Sequence, residues 1–206
     1  MDIGDYTDFC VGINHAFAVG SMFRGAENAL QPNCRHLLVA YHGRASSVVV
    51  SKTPIRRPSG QILTHSDTGD KVPTFSPSRR LDIELELGAF ICKASPIGQL
   101  AALGETSQYI FGYVLMNDWS ACDIQVWEYV PLGPFNAKNF STTISLWIVL
   151  LDALEPFSVS GIPNETELLP YLRETPATGQ TNQHDIQLMV TLIAPEGAEL
   201  SLHVVP

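Results

Sequence analysis

The chain has 206 residues, 45% hydrophobic and 16% charged, with a formal net charge of −9. That length suffices for a domain with a real hydrophobic core. The acidic balance argues against nucleic acid or an anionic membrane as the main partner and suits divalent cations, although a solvated acidic surface would give the same balance.

Met1 to Asp8 is polar and acidic, without the basic and apolar regions of a secretory leader. The longest apolar stretch, Ile144 to Leu151, is too short to span a bilayer. A soluble, cytoplasmic protein is therefore expected. Cys10, Cys34, Cys92 and Cys122 fit no zinc signature and contain no C-x-x-C pair, so four thiols are expected.

In chain order, Leu37–Tyr41 and Ser46–Ser51 read as strands, followed by a Pro54–Pro58 loop carrying Arg56 and Arg57. Thr64–Arg80 is polar and turn-rich and reads as an exposed loop or irregular hairpin. Leu81–Cys92 is the clearest strand, with Leu81, Ile83, Leu85 and Leu87 alternating with Asp82, Glu84 and Glu86. Gln99–Ser107 reads as a weak helix and Tyr109–Met116 as a buried strand. Ser120–Tyr129 reads as a helix with Ser120 as N-cap and Asp123 at the third position. Ile144–Phe157 is ambiguous, Ile186–Ile193 reads as a strand, and Pro195–Pro206 as a tail or weak edge strand. Strands outnumber helices and no βαβ rhythm is present, so an α+β, mainly β fold is expected.

Three constellations carry chemistry. Side chains two apart on a strand share a face, which would line up Asp82, Glu84 and Glu86. Two carboxylates about 6 Å apart repel by about 3 kcal/mol at an effective dielectric near 20, and a hard cation reverses the sign. A water-washed strand face would carry the same residues at little cost. Asp118 sits at the junction of the buried strand and the helix that places Cys122, Gln125 and Tyr129 on one face. It reads either as a site carboxylate or as a second helix cap. Asp8 and His15 form the third group, since a histidine can activate water near neutral pH. Arg24, Arg44, Arg56, Arg57 and Lys138 could meet a carboxylate-bearing substrate or serve as surface charges. No G-x-S-x-G elbow, phosphate loop or dinucleotide fingerprint is present.

Long strings then agree in order: Asp5-Tyr-Thr-Asp-Phe9, Met22-Phe-Arg24, Tyr41-His-Gly-Arg-Ala-Ser-Ser-Val-Val-Val-Ser51, Thr53-Pro-Ile-Arg-Arg-Pro58, Leu81-Asp-Ile-Glu-Leu-Glu86, Met116-Asn-Asp-Trp-Ser-Ala121 and Trp127-Glu-Tyr-Val-Pro-Leu-Gly-Pro-Phe135. Together they resemble the fumarylacetoacetase family over roughly Asp5 to Tyr171, with a fainter continuation to about Ile193. The resemblance implies a mixed β-roll, usually dimeric, acting on a small diketo acid with bound Ca²⁺ or Mg²⁺. It implies cation ligands at Asp8, Glu84, Glu86 and Asp118, and makes Asp82 a bystander. It implies His15 as the water-activating base, substrate contacts at Arg24, Tyr41, Gln125 and Tyr129, charge stabilisation by Gln125 and Lys138, and Lys138 and Thr142 near a second, Mg²⁺ site.

The same resemblance implies departures. Cys10 and Cys122 stand where the family has a substrate-binding tyrosine and an oxyanion-stabilising arginine. Residues 1–194 are expected to be part of a catalytic domain, with a diverged tail at 195–206. An SH3-like N-terminal domain, the closing part of the roll and the carboxylate that orients the histidine have no counterpart in these residues. Activity is therefore expected to be impaired, and the isolated chain to aggregate or bind a partner.

Overall fold

A computed structural model describes residues 2–173 and 183–204. The strands are β1 (Thr7–Cys10), β2 (Val39–His42), β3 (Val48–Val50), β4 (Ser59–His65), β5 (Lys71–Pro77), β6 (Leu81–Asp82), β7 (Leu85–Ile91) and β8 (Ile110–Asp118). They continue as β9 (Ser120–Ala121), β10 (Thr142–Ile144), β11 (Val149–Leu150), β12 (Ser158–Val159), β13 (Gln183–His184), β14 (Leu188–Ile193) and β15 (Glu199–Val204). The α-helices are α1 (Ile13–Arg24), α2 (Cys122–Glu128) and α3 (Leu151–Leu154). This is the α+β, mainly β composition expected. Among the described residues no helix is long and apolar enough to cross a membrane. The resemblance's continuation through 174–182 and the end of the tail at 205–206 lie outside the described residues.

Two compact units are present. The first comprises the chain up to Glu84, Asn117–Ile144 and Asn164–Leu168. In it β1 pairs antiparallel with β2, with Asp8 directly opposite Tyr41. β10 runs parallel to β3, with Thr142 opposite Val48. β4 and β5 form a regular hairpin from Ser59↔Pro77 to His65↔Lys71, more ordered than the exposed loop or irregular hairpin expected from Thr64 onward. Its turn closes with Ser66 N–H to Asp70 O at 2.8 Å, and Gly69 takes the left-handed φ of 86°. The core joins Ile62 of β4, Ala121, Ile124 of α2 and Ala137, with Phe140 packed against them. β4 approaches α2 so closely that a Cβ at Gly60 would lie 2.7 Å from Ile124 Cδ1. Ile124→Ala should cost about 2 kcal/mol, the low end for such truncations because the cluster is small and can collapse. Urea unfolding measures it.

The second unit comprises Leu85–Met116, Ser145–Pro163 and the chain from Leu169 on. β7 and β11 both pair with β8, and β14 pairs with β15 from Leu188↔Val204 to Ile193↔Glu199. The terminal stretch read as a tail or weak edge strand thus includes a registered strand. Val114 and Met116 are buried, while Leu87, Ile91, Phe111 and Leu115 are exposed apolar residues of β7 and β8.

Four local readings need correction. The strand expected from Leu81 to Cys92 is broken at Ile83–Glu84, because Asp82 pairs with Ser120 whereas the Glu84 N–H turns to Asn117 Oδ1. The leucine-in, acid-out alternation fails with it: Asp82 is exposed, but Glu84 and Glu86 are half-buried and Leu87 is exposed. Ser120 does not cap α2, whose N-cap is Ala121. Gln99–Ser107 is a short 3₁₀ segment, Leu103–Gln108, rather than an α-helix. The helix α1 had no sequence expectation: Gly12 at its N-cap offers no side-chain bond, and its first turn has no acid.

Candidate active site

Asp118 ends β8 and is only 1% exposed. Its carboxylate has three partners. Thr142 Oγ1 donates to Oδ1 at 2.8 Å, Tyr41 OH approaches Oδ2 at 3.2 Å, and Lys138 Nζ lies 2.8 Å from Oδ2. Its backbone N–H donates to Glu84 O at 3.1 Å, which joins the end of β8 to the break between β6 and β7. Asp118 is therefore a buried carboxylate and not the N-cap of α2, which is Ala121.

Glu84 is fixed from three sides. Its N–H donates to Asn117 Oδ1 at 3.1 Å, Ser120 Oγ donates to its Oε1 at 2.7 Å, and Lys138 Nζ lies 2.7 Å from its Oε2. Asp8 enters from β1, where the antiparallel register puts it opposite Tyr41 and the phenol donates to Asp8 Oδ2 at 2.5 Å. Asp8 and Glu84 each offer a carboxylate oxygen within 4.8 Å of the other. Five separated stretches of chain thus bring three carboxylates, one phenol and one ammonium together.

The electrostatics follow from the charge count. Burial raises the Asp8 carboxyl above its usual 3.8; the negative charges of Asp118 and Glu84 add to this, while the Tyr41 bond and Lys138 oppose it. Burial likewise raises the Tyr41 phenol, with Asp118 adding to it, so Tyr41 is a donor throughout the physiological range. Burial alone would depress the Lys138 ammonium, but attraction to Asp118 and Glu84 outweighs it and lifts the group above 10.5. Three carboxylates against one ammonium leave a net charge of −2. That residue of negative charge, on hard oxygen donors, matches a divalent cation such as Mg²⁺ or Ca²⁺.

The family model described as fumarylacetoacetate hydrolase C-terminal matches residues 7–194. The chain belongs to the fumarylacetoacetate hydrolase family. It is 63% identical to fumarylacetoacetase fahA of Aspergillus fumigatus over 194 residues, which is 93% of this chain and 44% of that protein. It is 53% identical to the Rattus norvegicus fumarylacetoacetase over 190 residues and 51% identical to the Homo sapiens one over 191, covering in each case 92% of this chain and 44% of the relative. The chain therefore spans under half the length of the curated relatives it matches.

His15 lies in the first turn of α1, exposed, with no side-chain hydrogen bond or ion pair to a described residue. Arg24 closes α1 and donates to Asn28 O at 3.1 Å and Ala29 O at 2.5 Å, which leaves part of its fork for a ligand. Gln125 is half-buried in α2, and Tyr129 is exposed at its C-cap. Glu86 stands two residues beyond Glu84, at the start of β7. Cys10 is exposed; the half-buried Cys122 thiol is pushed up by burial and by Asp82 and Glu84, so it stays neutral where the family pattern has a permanent cation. Sequence reasoning missed Ser120 and Asn117 as anchors of Glu84. The only signal was a short polar pair flanking Asp118, and it read more simply as capping.

Proposed function

We propose that this chain is the cation-binding part of a fumarylacetoacetase-type hydrolase, which adds water across a carbon–carbon bond of fumarylacetoacetate to yield fumarate and acetoacetate in tyrosine and phenylalanine breakdown. The supporting observation is the convergence of Asp8, Glu84 and Asp118 around Tyr41 and Lys138, in a chain at least half identical to proteins named fumarylacetoacetase. Asp8, Glu84, Glu86 and Asp118 would hold the ion, with Lys138 and Thr142 flanking Asp118 beside a second, Mg²⁺ position. When bound, Ca²⁺ or Mg²⁺ polarises carbonyl oxygen as a Lewis acid.

The chain's own residues supply the remaining roles. Arg24, Tyr41, Gln125 and Tyr129 orient the diketo acid, the guanidinium by a fork to carboxylate. His15 takes a proton from water as the oxygen attacks a carbonyl carbon. Gln125 and Lys138 donate to the oxyanion that results. Its collapse breaks the carbon–carbon bond, and the departing carbanion takes a proton. The same reading gives a mixed β-roll, a homodimer and a cytoplasmic location.

A second reading, a cation-binding chain without turnover or a partner subunit of a full-length relative, is favoured by the exposure of His15 and its lack of an orienting bond among the described residues. Loss of fumarylacetoacetate absorbance with and without Mg²⁺ or Ca²⁺ separates the two. The hydrolase reading expects turnover that requires the cation and falls about 10²–10⁴-fold in His15→Ala. Cation binding without turnover supports the second reading. A chain that binds no cation overturns both.

A further inference from the structure

Lys138 is 4% exposed, and its ammonium lies between Glu84 and Asp118. Nothing in its own backbone requires this, because it follows an irregular stretch, residues 129–137, that leaves the end of α2. A long, flexible side chain on such a stretch loses much freedom when held at one point. Something must hold its root.

That anchor is visible at Glu128, the last residue of α2. Glu128 Oε1 accepts the N–H of Phe135 at 2.9 Å and the N–H of Ala137 at 2.8 Å. The chain leaves the helix and returns seven and nine residues later to the same oxygen. Ala137 is fixed on its other side as well, since its carbonyl accepts the Ala121 N–H at 3.0 Å. The N–H groups of Lys138 and Asn139 both reach Phe135 O, at 3.2 and 3.0 Å. Ala137 is fully buried, so a slack return would leave its N–H without a partner and out of reach of water.

We infer that Glu128 is a positioning residue for Lys138: its carboxylate oxygen fixes the turn that delivers the ammonium to Glu84 and Asp118. This rests on the site proposed above and adds a residue to it that touches neither substrate nor ion. What the turn needs is an acceptor at that point, and the charge is secondary. Glu128→Gln would keep the oxygen, Glu128→Asp would withdraw it by about 1.5 Å, and Glu128→Ala would remove it.

The test uses the full chain and its Glu128→Gln, Glu128→Asp and Glu128→Ala variants. Each is treated with limiting N-hydroxysuccinimide acetate, and lysine acetylation is mapped by peptide mass spectrometry. Lys52, Lys71 and Lys93, all exposed, serve as internal references. Lys138 is expected to react at least about tenfold more slowly than Lys52 in the wild type and in Glu128→Gln, and to lose that protection in Glu128→Ala with circular dichroism unchanged. Equal protection in a folded Glu128→Ala overturns the inference. If that variant unfolds, Glu128→Asp decides: partial loss of protection supports the inference and wild-type protection overturns it. Ca²⁺ titration of the wild type is run alongside. Absence of Ca²⁺ binding sinks the proposed site, whereas the acetylation pattern judges Glu128 by itself.

Discussion

Lys138→Met is expected to lower the unfolding free energy by about 3–5 kcal/mol in cation-free buffer at neutral pH, the usual cost of removing one partner from a buried ion pair. Methionine keeps most of the volume, so the loss is electrostatic. Asp118 would keep Thr142 and the longer Tyr41 contact but lose the only cationic side chain paired with it among the described residues. Glu84 is about one-third exposed, so water takes over part of what it loses. The sign with pH is fixed by the ammonium's raised pKa: the wild-type advantage is fully present below 10.5 and is lost as pH rises through the still higher folded value. A divalent cation at 100 times its Kd would return about 2.7 kcal/mol to either protein that binds it. Urea unfolding with and without Ca²⁺ measures both effects. A difference below about 1 kcal/mol between the two proteins in chelator would mean that Lys138 acts as an ordinary surface charge.

How much of this could be read from the sequence depends on how local each signal is. β8 was legible as a strand because Tyr109 to Met116 is apolar and rich in β-formers, and its last residue, Asp118, marked the candidate site. α2 was legible as a helix, but its start was not. A hydroxyl before an apolar run predicts a cap, and only the fold shows that Ser120 pairs with Asp82 while its hydroxyl goes to Glu84. The break after Asp82 was hidden by the regular alternation of leucine and acid, because the forces that break it come from Asn117 and Ser120, more than thirty residues away. The ligand candidates Asp8, Glu84 and Asp118 came from the family resemblance. Their spacing alone left a solvated face open for Glu84 and a helix cap open for Asp118. Conversely, the bonds that hold the site together, from Ser120, Asn117 and Glu128, involve common polar residues whose sequence context carries no mark of their role.

Asp118→Asn is expected to weaken Ca²⁺ binding by about 10²–10³-fold, and the wild-type affinity is expected to rise with pH. Asparagine keeps an oxygen for Thr142 but removes one of the charges that would face the proposed ion. A buried charge of that kind is worth about 3–4 kcal/mol, and each 1.4 kcal/mol is tenfold in affinity. The pH dependence comes from Asp8. Because its folded pKa lies above 3.8, the folded chain without cation binds more protons than the unfolded one, and stability falls as pH rises through the window that opens at 3.8. Cation binding runs the other way, since a ligand carboxylate must be ionised. Each ion bound within that window therefore displaces up to one proton, log K climbs with a slope of up to one, and the slope vanishes above the raised pKa. Asp8→Asn should flatten the profile, while Asp118→Asn should lower it. Isothermal titration in two buffers of different ionisation enthalpy counts the proton directly. A wild-type affinity that is constant across the window, or an Asp118→Asn variant within twofold of wild type, would remove the buried carboxylates from the ion's coordination and leave them as partners of Lys138 alone.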